Sequence, residues 1–222
     1  MDEISRYAVG VDIGTSTVRT VVASVNSDGA LNVVGYAEAP NSGMRRGVVV
    51  NLVGPCNAID KTLFDAERMS GFQVKSATVS INGTQILSTR TEGMIAVGGT
   101  EHEINENDLA RVQDVALQGR VPANQEVLSV VPLQYMLDGQ GGIKNALGMT
   151  GSRLEMQANV ISTMAPNYDN LCKVMDTVNV TAERIVPSVE AAARAVLTER
   201  QTENGVAVVD FGAATTSVAI FE

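Results

Sequence analysis

The chain has 222 residues, enough for one large domain or two small ones, and 45% of them are hydrophobic, which is ample for a buried core. Only 18% are charged, which argues against disorder, and a net charge of -9 repels a phosphate backbone, so nucleic acid is excluded as a partner. The single basic cluster, Arg45-Arg46, is too short for a nucleic-acid footprint and reads as a solvated turn after Gly43.

In chain order, the apolar run Tyr7 to Ile13 leads into Asp12-Ile13-Gly14-Thr15-Ser16-Thr17, and Val18 to Val25 is apolar again. That pattern predicts two strands joined by a tight turn. Asn26-Ser27-Asp28-Gly29 predicts a second hairpin into a strand at Leu31 to Glu38, giving a three-stranded meander. Asn51 is expected to cap a helix running to about Gly71, with Cys56, Ile59, Leu63, Ala66 and Met69 on one apolar stripe. Ser76 to Ile81 is the next strand, closed by Asn82-Gly83.

The middle of the chain changes character. Gln85 to Val97 predicts a strand, and Asn105 to Asp108 an N-cap for a helix carrying Leu109, Val112 and Ala116. Gln125 to Leu137 and Leu154 to Thr163 predict two strands with a glycine-rich connection from Gly139 to Gly151. This strand–helix–strand–strand order reads as an insert with its own fold. After Pro166 a helix with Leu171, Val174, Met175 and Val178 on one face is followed by a strand at Ala182 to Val186. Pro187 starts an alanine-rich helix through Leu197, and strands at Val206 to Asp210 and Thr216 to Phe221 complete the chain.

The informative feature is an internal repeat. Aligning Asp12 with Asp210 places Gly14 on Gly212, Thr17 on Thr215 and Arg19 on Ser217, with apolar strands before and after both copies. A glycine at such a turn lets backbone N–H groups form a small anion nest, and Thr or Ser hydroxyls add donors. An aspartate at the strand end would repel a phosphate, so its useful role is to orient Mg²⁺ or its waters. Two such hairpins facing each other would clamp a polyphosphate. A lone Asp-x-Gly-Thr is often only a hairpin turn in which glycine takes a positive φ; matching flanks in both copies go beyond what turn chemistry requires.

Other residues carry less. His102, the lone histidine, sits in the acidic loop Glu101-His102-Glu103 and reads as solvated, and Asp60, Asp65 and Glu67 read as the wet side of a helix. Cys56 and Cys172, each inside an apolar helical pattern and without Cys-x-x-Cys spacing, read as buried thiols in a reducing compartment. The opening residues Met1 to Arg6 lack a secretory pattern, and no apolar run approaches the roughly 20 residues needed to cross a bilayer. There is no Walker-type loop, no Gly-x-Gly-x-x-Gly and no Ser/His/Asp arrangement.

The loop Asp12 to Ser16, the segment Gly43-Met44-Arg45-Arg46-Gly47-Val48, the stretch Gly142-Ile143-Lys144-Asn145-Ala146-Leu147-Gly148 and the second loop from Asp210 together resemble the FtsA family of actin-like bacterial cell-division proteins. The resemblance implies a mixed α/β, actin-like (ribonuclease H-like) lobe. Residues 1–83 and 166–205 would form subdomain 1A, residues 84–165 the inserted subdomain 1C, and residues 206–222 the start of subdomain 2A, so that of the second lobe only the first hairpin is present. It also implies ATP and Mg²⁺ as cofactors. Asp12, Gly14, Thr15, Ser16 and Thr17 would form the first phosphate loop, and Asp210, Gly212, Ala213, Ala214 and Thr215 the second. Asp12 and Asp210 would reach the metal through water. FtsZ, later division proteins and filament self-association are the implied partners, on the cytoplasmic face of the inner membrane at the division site, with membrane contact through a segment outside these residues.

Two departures from the family pattern stand out. Ala213 and Ala214 replace glycines of the second loop, and Ser217 stands where an acidic residue is usual, so weaker nucleotide binding or hydrolysis is expected. The chain also stops just after the second hairpin, which reads as a fragment with half a nucleotide site, weak ATP affinity and at most feeble ATPase activity. Two alternatives stand beside it: a type IV pilus actin-like scaffold, which shares the insert topology, and a sugar- or acetate-kinase-type phosphotransferase, which shares the loops but needs a catalytic base and substrate pocket that the residues do not obviously supply.

Overall fold

The computed structural model describes residues 6–99 and 102–221. The reading of the first residues as free of a secretory pattern falls on Met1 to Ser5, outside the described residues, as do Glu101 and Glu222. The chain divides into two compact units. One runs to Gln85 and resumes at Pro166, and the other is Ile86–Ala165.

In the first unit, β1 (Arg6–Ile13), β2 (Thr17–Val25) and β3 (Leu31–Pro40) form the expected antiparallel meander. Two short strands that the sequence reading missed, β4 (Met44–Arg45) and β5 (Val48–Val49), pair in a miniature hairpin where a simple solvated turn was expected; Arg45 and Arg46 are exposed there. The helix α1 (Val53–Ser70) starts after Leu52, whose side chain makes no cap. Asn51, expected as the cap, still serves the first turn by accepting from Val53 N–H at 2.8 Å. The buried stripe of α1 is Pro55, Cys56, Ala58, Ile59, Thr62, Leu63 and Ala66. Met69, expected on that stripe, is 61% exposed although its spacing matches. Thr62 is a polar member whose hydroxyl meets that of Thr20 at 2.8 Å, so neither is left unpaired in the core.

Strand β6 (Ser76–Ile81) runs parallel beside β1. After the second unit come α3 (Ala165–Thr177) and β11 (Thr181–Pro187), with β11 parallel to β6 and giving the sheet order β11-β6-β1-β2-β3. Val11, Ile13, Val18, Val22, Ile59 and Val79 are almost wholly buried in this unit. Next are α4 (Ser188–Val196) and a short helix absent from the sequence reading, α5 (Glu199–Glu203), and then β12 (Val206–Phe211) and β13 (Thr216–Phe221), which pair antiparallel as a separate two-stranded sheet. Their outward residues Val209, Phe211, Val218 and Ile220 are exposed. Of the cysteines, Cys56 is buried but Cys172 is only half-buried, a partial correction; burial pushes both thiols above the ordinary value of 9.0.

The second unit is built from β7 (Leu87–Ala96), α2 (Glu106–Leu117), β8 (Gln125–Leu137), β9 (Gln140–Ile143) and β10 (Arg153–Met164), with sheet order β7-β10-β8-β9 and every pair antiparallel. Strand β9 lies within the segment expected only as a glycine-rich connection. The Asp138-Gly139 pair, at φ 49° and 91°, makes a two-residue hairpin turn that returns the chain along β8. Asn105 caps α2 as expected, accepting from Asn107 and Asp108 N–H, while Asp108 accepts from Asn105 N–H in return. Ile104, Val112, Ala116, Leu154, Met156 and Ala158 fill the space between α2 and the sheet.

Candidate functional site

The two repeated hairpins close in the same way. Gly14 N–H donates to Thr17 C=O at 3.0 Å, and Gly212 N–H donates to Thr215 C=O at 2.9 Å. Asp12 faces Arg19 and Asp210 faces Ser217 at equivalent positions of their ladders. Neither glycine has a positive φ, contrary to the simple turn reading. Each is required by close approach instead. A Cβ would lie 2.8 Å from the Thr17 oxygen at Gly14 and 2.9 Å from the Thr215 oxygen at Gly212.

Both hairpins open onto one cleft of about 200 Å³ within the first unit. Asp12, Gly14, Thr15, Ser16 and Thr17 line it from one side, and Asp210, Gly212, Ala213 and Thr215 from the other. Ala214 is exposed and outside the lining. The cleft lies at the carboxyl ends of the parallel strands β1, β6 and β11, where open α/β sheets present ligand sites because the connecting loops splay there.

Each loop is buttressed by residues far away in sequence. Asn41 N–H donates to Ser16 C=O at 2.8 Å and its side-chain amide to Gly14 C=O at 2.8 Å, while Gly47 N–H donates to the Thr15 hydroxyl at 3.0 Å. The segment from Asn41 to Gly47 is therefore a brace for the first loop. Ser80 on β6 donates to Asp12 at 2.6 Å and accepts from the buried Ile13 N–H at 3.1 Å. Arg19 lies 3.6 Å from Asp12 and 3.4 Å from Glu38. On the other side, the Ser188 hydroxyl contacts Asn82 and lies 3.4 Å from Asp210.

Arg19, Ser80, Asn82 and Ser188 were missed as site residues. The signal available for three of them was a polar residue at or just past the end of an apolar strand: Ser80 on β6, Asn82 just after it, and Ser188 after β11. Ser80→Ala should cost about 2 kcal/mol, since it orphans a buried N–H as well as releasing Asp12. Urea unfolding of the two chains checks this, and a difference below about 0.5 kcal/mol would mean that the serine is not a brace.

The lining combines the hydroxyls of Thr15, Ser16, Thr17 and Thr215, the Arg19 guanidinium and two separated carboxylates. That donor set fits a polyphosphate whose counter-ion is shared with Asp12 and Asp210. Among the described residues, no group of three or more His, Cys, Asp or Glu side chains forms a direct metal cage. His102 is exposed, with its ring Nδ1 3.2 Å from Val97 C=O, and stands in no such cluster. Of the helical carboxylates, Asp60 is exposed, Asp65 lies 3.6 Å from Arg68, and Glu67 accepts from Val74 N–H at 2.7 Å. No helix of the described residues is long and apolar enough to cross a membrane.

Comparison with known proteins adds three findings. The family model of the SHS2 domain inserted in FtsA matches residues 83–162. Cell division protein FtsA of Pseudomonas aeruginosa is 38% identical over 216 residues, covering 97% of this chain and 51% of that protein. The protein of the same name from Escherichia coli K12 is 30% identical over 216 residues, covering 97% and 51%. The chain thus spans about half the length of the curated relatives it matches. Among solved structures, the PilM-PilN type IV pilus biogenesis complex gives a TM-score of 0.68 at 13% identity, over 96% of this chain and 57% of that one. Ethanolamine utilization protein EutJ from Carboxydothermus hydrogenoformans gives 0.52 at 18% identity, over 100% and 50%. At such identities these two structures speak for the mixed α/β, actin-like fold alone.

Proposed function

Because the chain belongs to the FtsA family of actin-like proteins, we propose that it is the nucleotide-binding part of a cell-division scaffold that holds ATP between its two hairpins. The observation that carries this reading is the convergence of both Asp-x-Gly hairpins on one cleft with matched turn geometry. Thr15, Ser16, Thr17 and the turn amides would bind one end of the polyphosphate. Gly212, Ala213 and Thr215 would bind the other. Mg²⁺ would be carried by the phosphates, with Asp12 and Asp210 orienting its waters and so neutralising the polyphosphate's charge. Asp12 is already held in place by Ser80 and Arg19. The wider role proposed with it is self-association, contact with the FtsZ ring, recruitment of later division proteins, and a place on the cytoplasmic face of the membrane at the septum.

Equilibrium titration with labelled ATP and Mg²⁺, in parallel with adenosine, tests the phosphate clamp. ATP is expected to bind more weakly than micromolar, yet at least about tenfold tighter than adenosine, because the cleft is built from donors suited to phosphate oxygens. Equal affinities would overturn the clamp. The pilus-scaffold alternative rests on fold likeness at 13% identity, whereas the division relatives reach 38%. Capture of a pilus-protein tail in place of division proteins would favour it.

A further inference from the structure

Among the described residues of the second unit, β7 has no partner strand along one side. It forms an edge of its sheet, with β10 as its one neighbour there. Natural edge strands are blunted by charged side chains, proline, bulges or brevity, since a regular edge offers a row of free N–H and C=O groups to another strand. Of these devices strand β7 carries only two charges, Arg90 and Glu92, and they are of opposite sign. It runs ten residues from Leu87 to Ala96 without proline or lysine, and its register with β10 is unbroken from Leu87 to Ala96. At the opposite edge of the same sheet, β9 has four residues, and the β8–β10 ladder is interrupted twice.

The outward side chains of β7 are self-complementary. Arg90 and Glu92 are both exposed and flank Thr91, which is 3% exposed and points inward. Neither Arg90 nor Glu92 takes part in an ion pair among the described residues. We propose that β7 is a homotypic docking edge, pairing antiparallel with β7 of a second copy about a twofold axis through Thr91. That register places Arg90 opposite Glu92 of the second copy, and Glu92 opposite its Arg90. Leu87, 42% exposed, then falls opposite Ile95, and Met94, 57% exposed, opposite Ser88.

The competing registers fail for identifiable reasons. Moving the twofold axis to residue 90 or 92 sets Arg90 against Arg90 or Glu92 against Glu92, and like charges directly opposite are destabilising. Slipping by one residue sets inward side chains against outward ones and carries the two copies of α2 to opposite faces. The favoured register joins two four-stranded sheets into one. It closes on itself, unlike a filament contact, which must leave an interface open at each end. No residue of the phosphate cleft takes part, so the pairing stands or falls independently of the nucleotide reading.

Sedimentation of the 222-residue chain without nucleotide tests it through charge reversal, with circular dichroism to confirm folding. R90E and E92R are each expected to weaken the dimer at least about tenfold, because each turns two attractive cross-strand pairs repulsive. R90E/E92R together should return to within about threefold of the parent chain, since the pairs are restored with exchanged signs. In the parent chain, amide exchange over residues 87–95 should slow as concentration rises. A chain that stays monomeric at every concentration would overturn the proposal. So would a dimer indifferent to the single reversals, a double variant no better than the singles, or concentration-dependent protection on β12 and β13 in place of β7.

Discussion

Gly93→Ala is expected to destabilise the Ile86–Ala165 unit by about 3 kcal/mol, the largest stability effect of any single methyl group considered for this unit. The reason is a backbone contact. A Cβ at Gly93 would sit 2.3 Å from the Val112 carbonyl oxygen, 2.7 Å from Ala116 N and 3.0 Å from the Ala116 methyl group. No rotamer change relieves a clash with main chain, so α2 must lift from β7 and open the core around Val112 and Met156. The usual gain of about 0.5–1 kcal/mol on replacing a strand glycine by alanine offsets only a fraction of that. Gly98→Ala in the same unit is the control. Nothing lies within 4 Å of its added Cβ, and its φ is not positive. Urea unfolding of both variants decides the matter; a Gly93→Ala loss below about 1 kcal/mol would show that the helix yields freely.

The second large effect is on ligand binding. Gly14→Ala should weaken ATP at least about tenfold, equivalent to about 1.4 kcal/mol. The added methyl group would meet the Thr17 carbonyl at 2.8 Å, the atom that closes the turn by accepting Gly14 N–H. Opening that turn moves the hydroxyls of Thr15 and Ser16 together with the backbone amides between them. Binding should suffer much more than folding, since the hairpin tip is only partly buried. The expected outcome is therefore a change in ATP affinity at nearly constant unfolding midpoint. Unchanged affinity would remove the first loop from the phosphate site. Gly212→Ala faces almost the same contact at 2.9 Å and should act in the same direction.

The elements that were legible in the sequence are those whose cause is local. The β1–β2 and β12–β13 hairpins announce themselves through apolar runs on both sides of a glycine turn, and the N-terminus of α2 through Asn105 and Asp108, each of which bonds within three residues of itself. The short pieces were harder to read. Strands β4 and β5 have two residues each and α5 has five, too few to show a period. Strand β9 had a readable cue in Asp138-Gly139, hidden by the glycines that follow it. Met69 has the spacing of a core residue but is exposed, because spacing records only which side of a helix a residue occupies and not how far the neighbouring sheet extends.

By itself, the sequence determined the repeated Asp-x-Gly turns, the insert between the two parts of the first unit, and the family. These depend on residue order and on interactions a few positions apart. Only the tertiary structure decided that the two turns share a cleft, although Asp12 and Asp210 stand nearly a whole chain apart. It also decided that Asn41, Ser80, Asn82 and Ser188 hold that cleft in shape. A hydrogen bond between residues 68 or 106 positions apart leaves no periodic trace in either segment. It exists because β1, β6 and β11 run parallel and deliver their carboxyl ends to the same edge of the sheet.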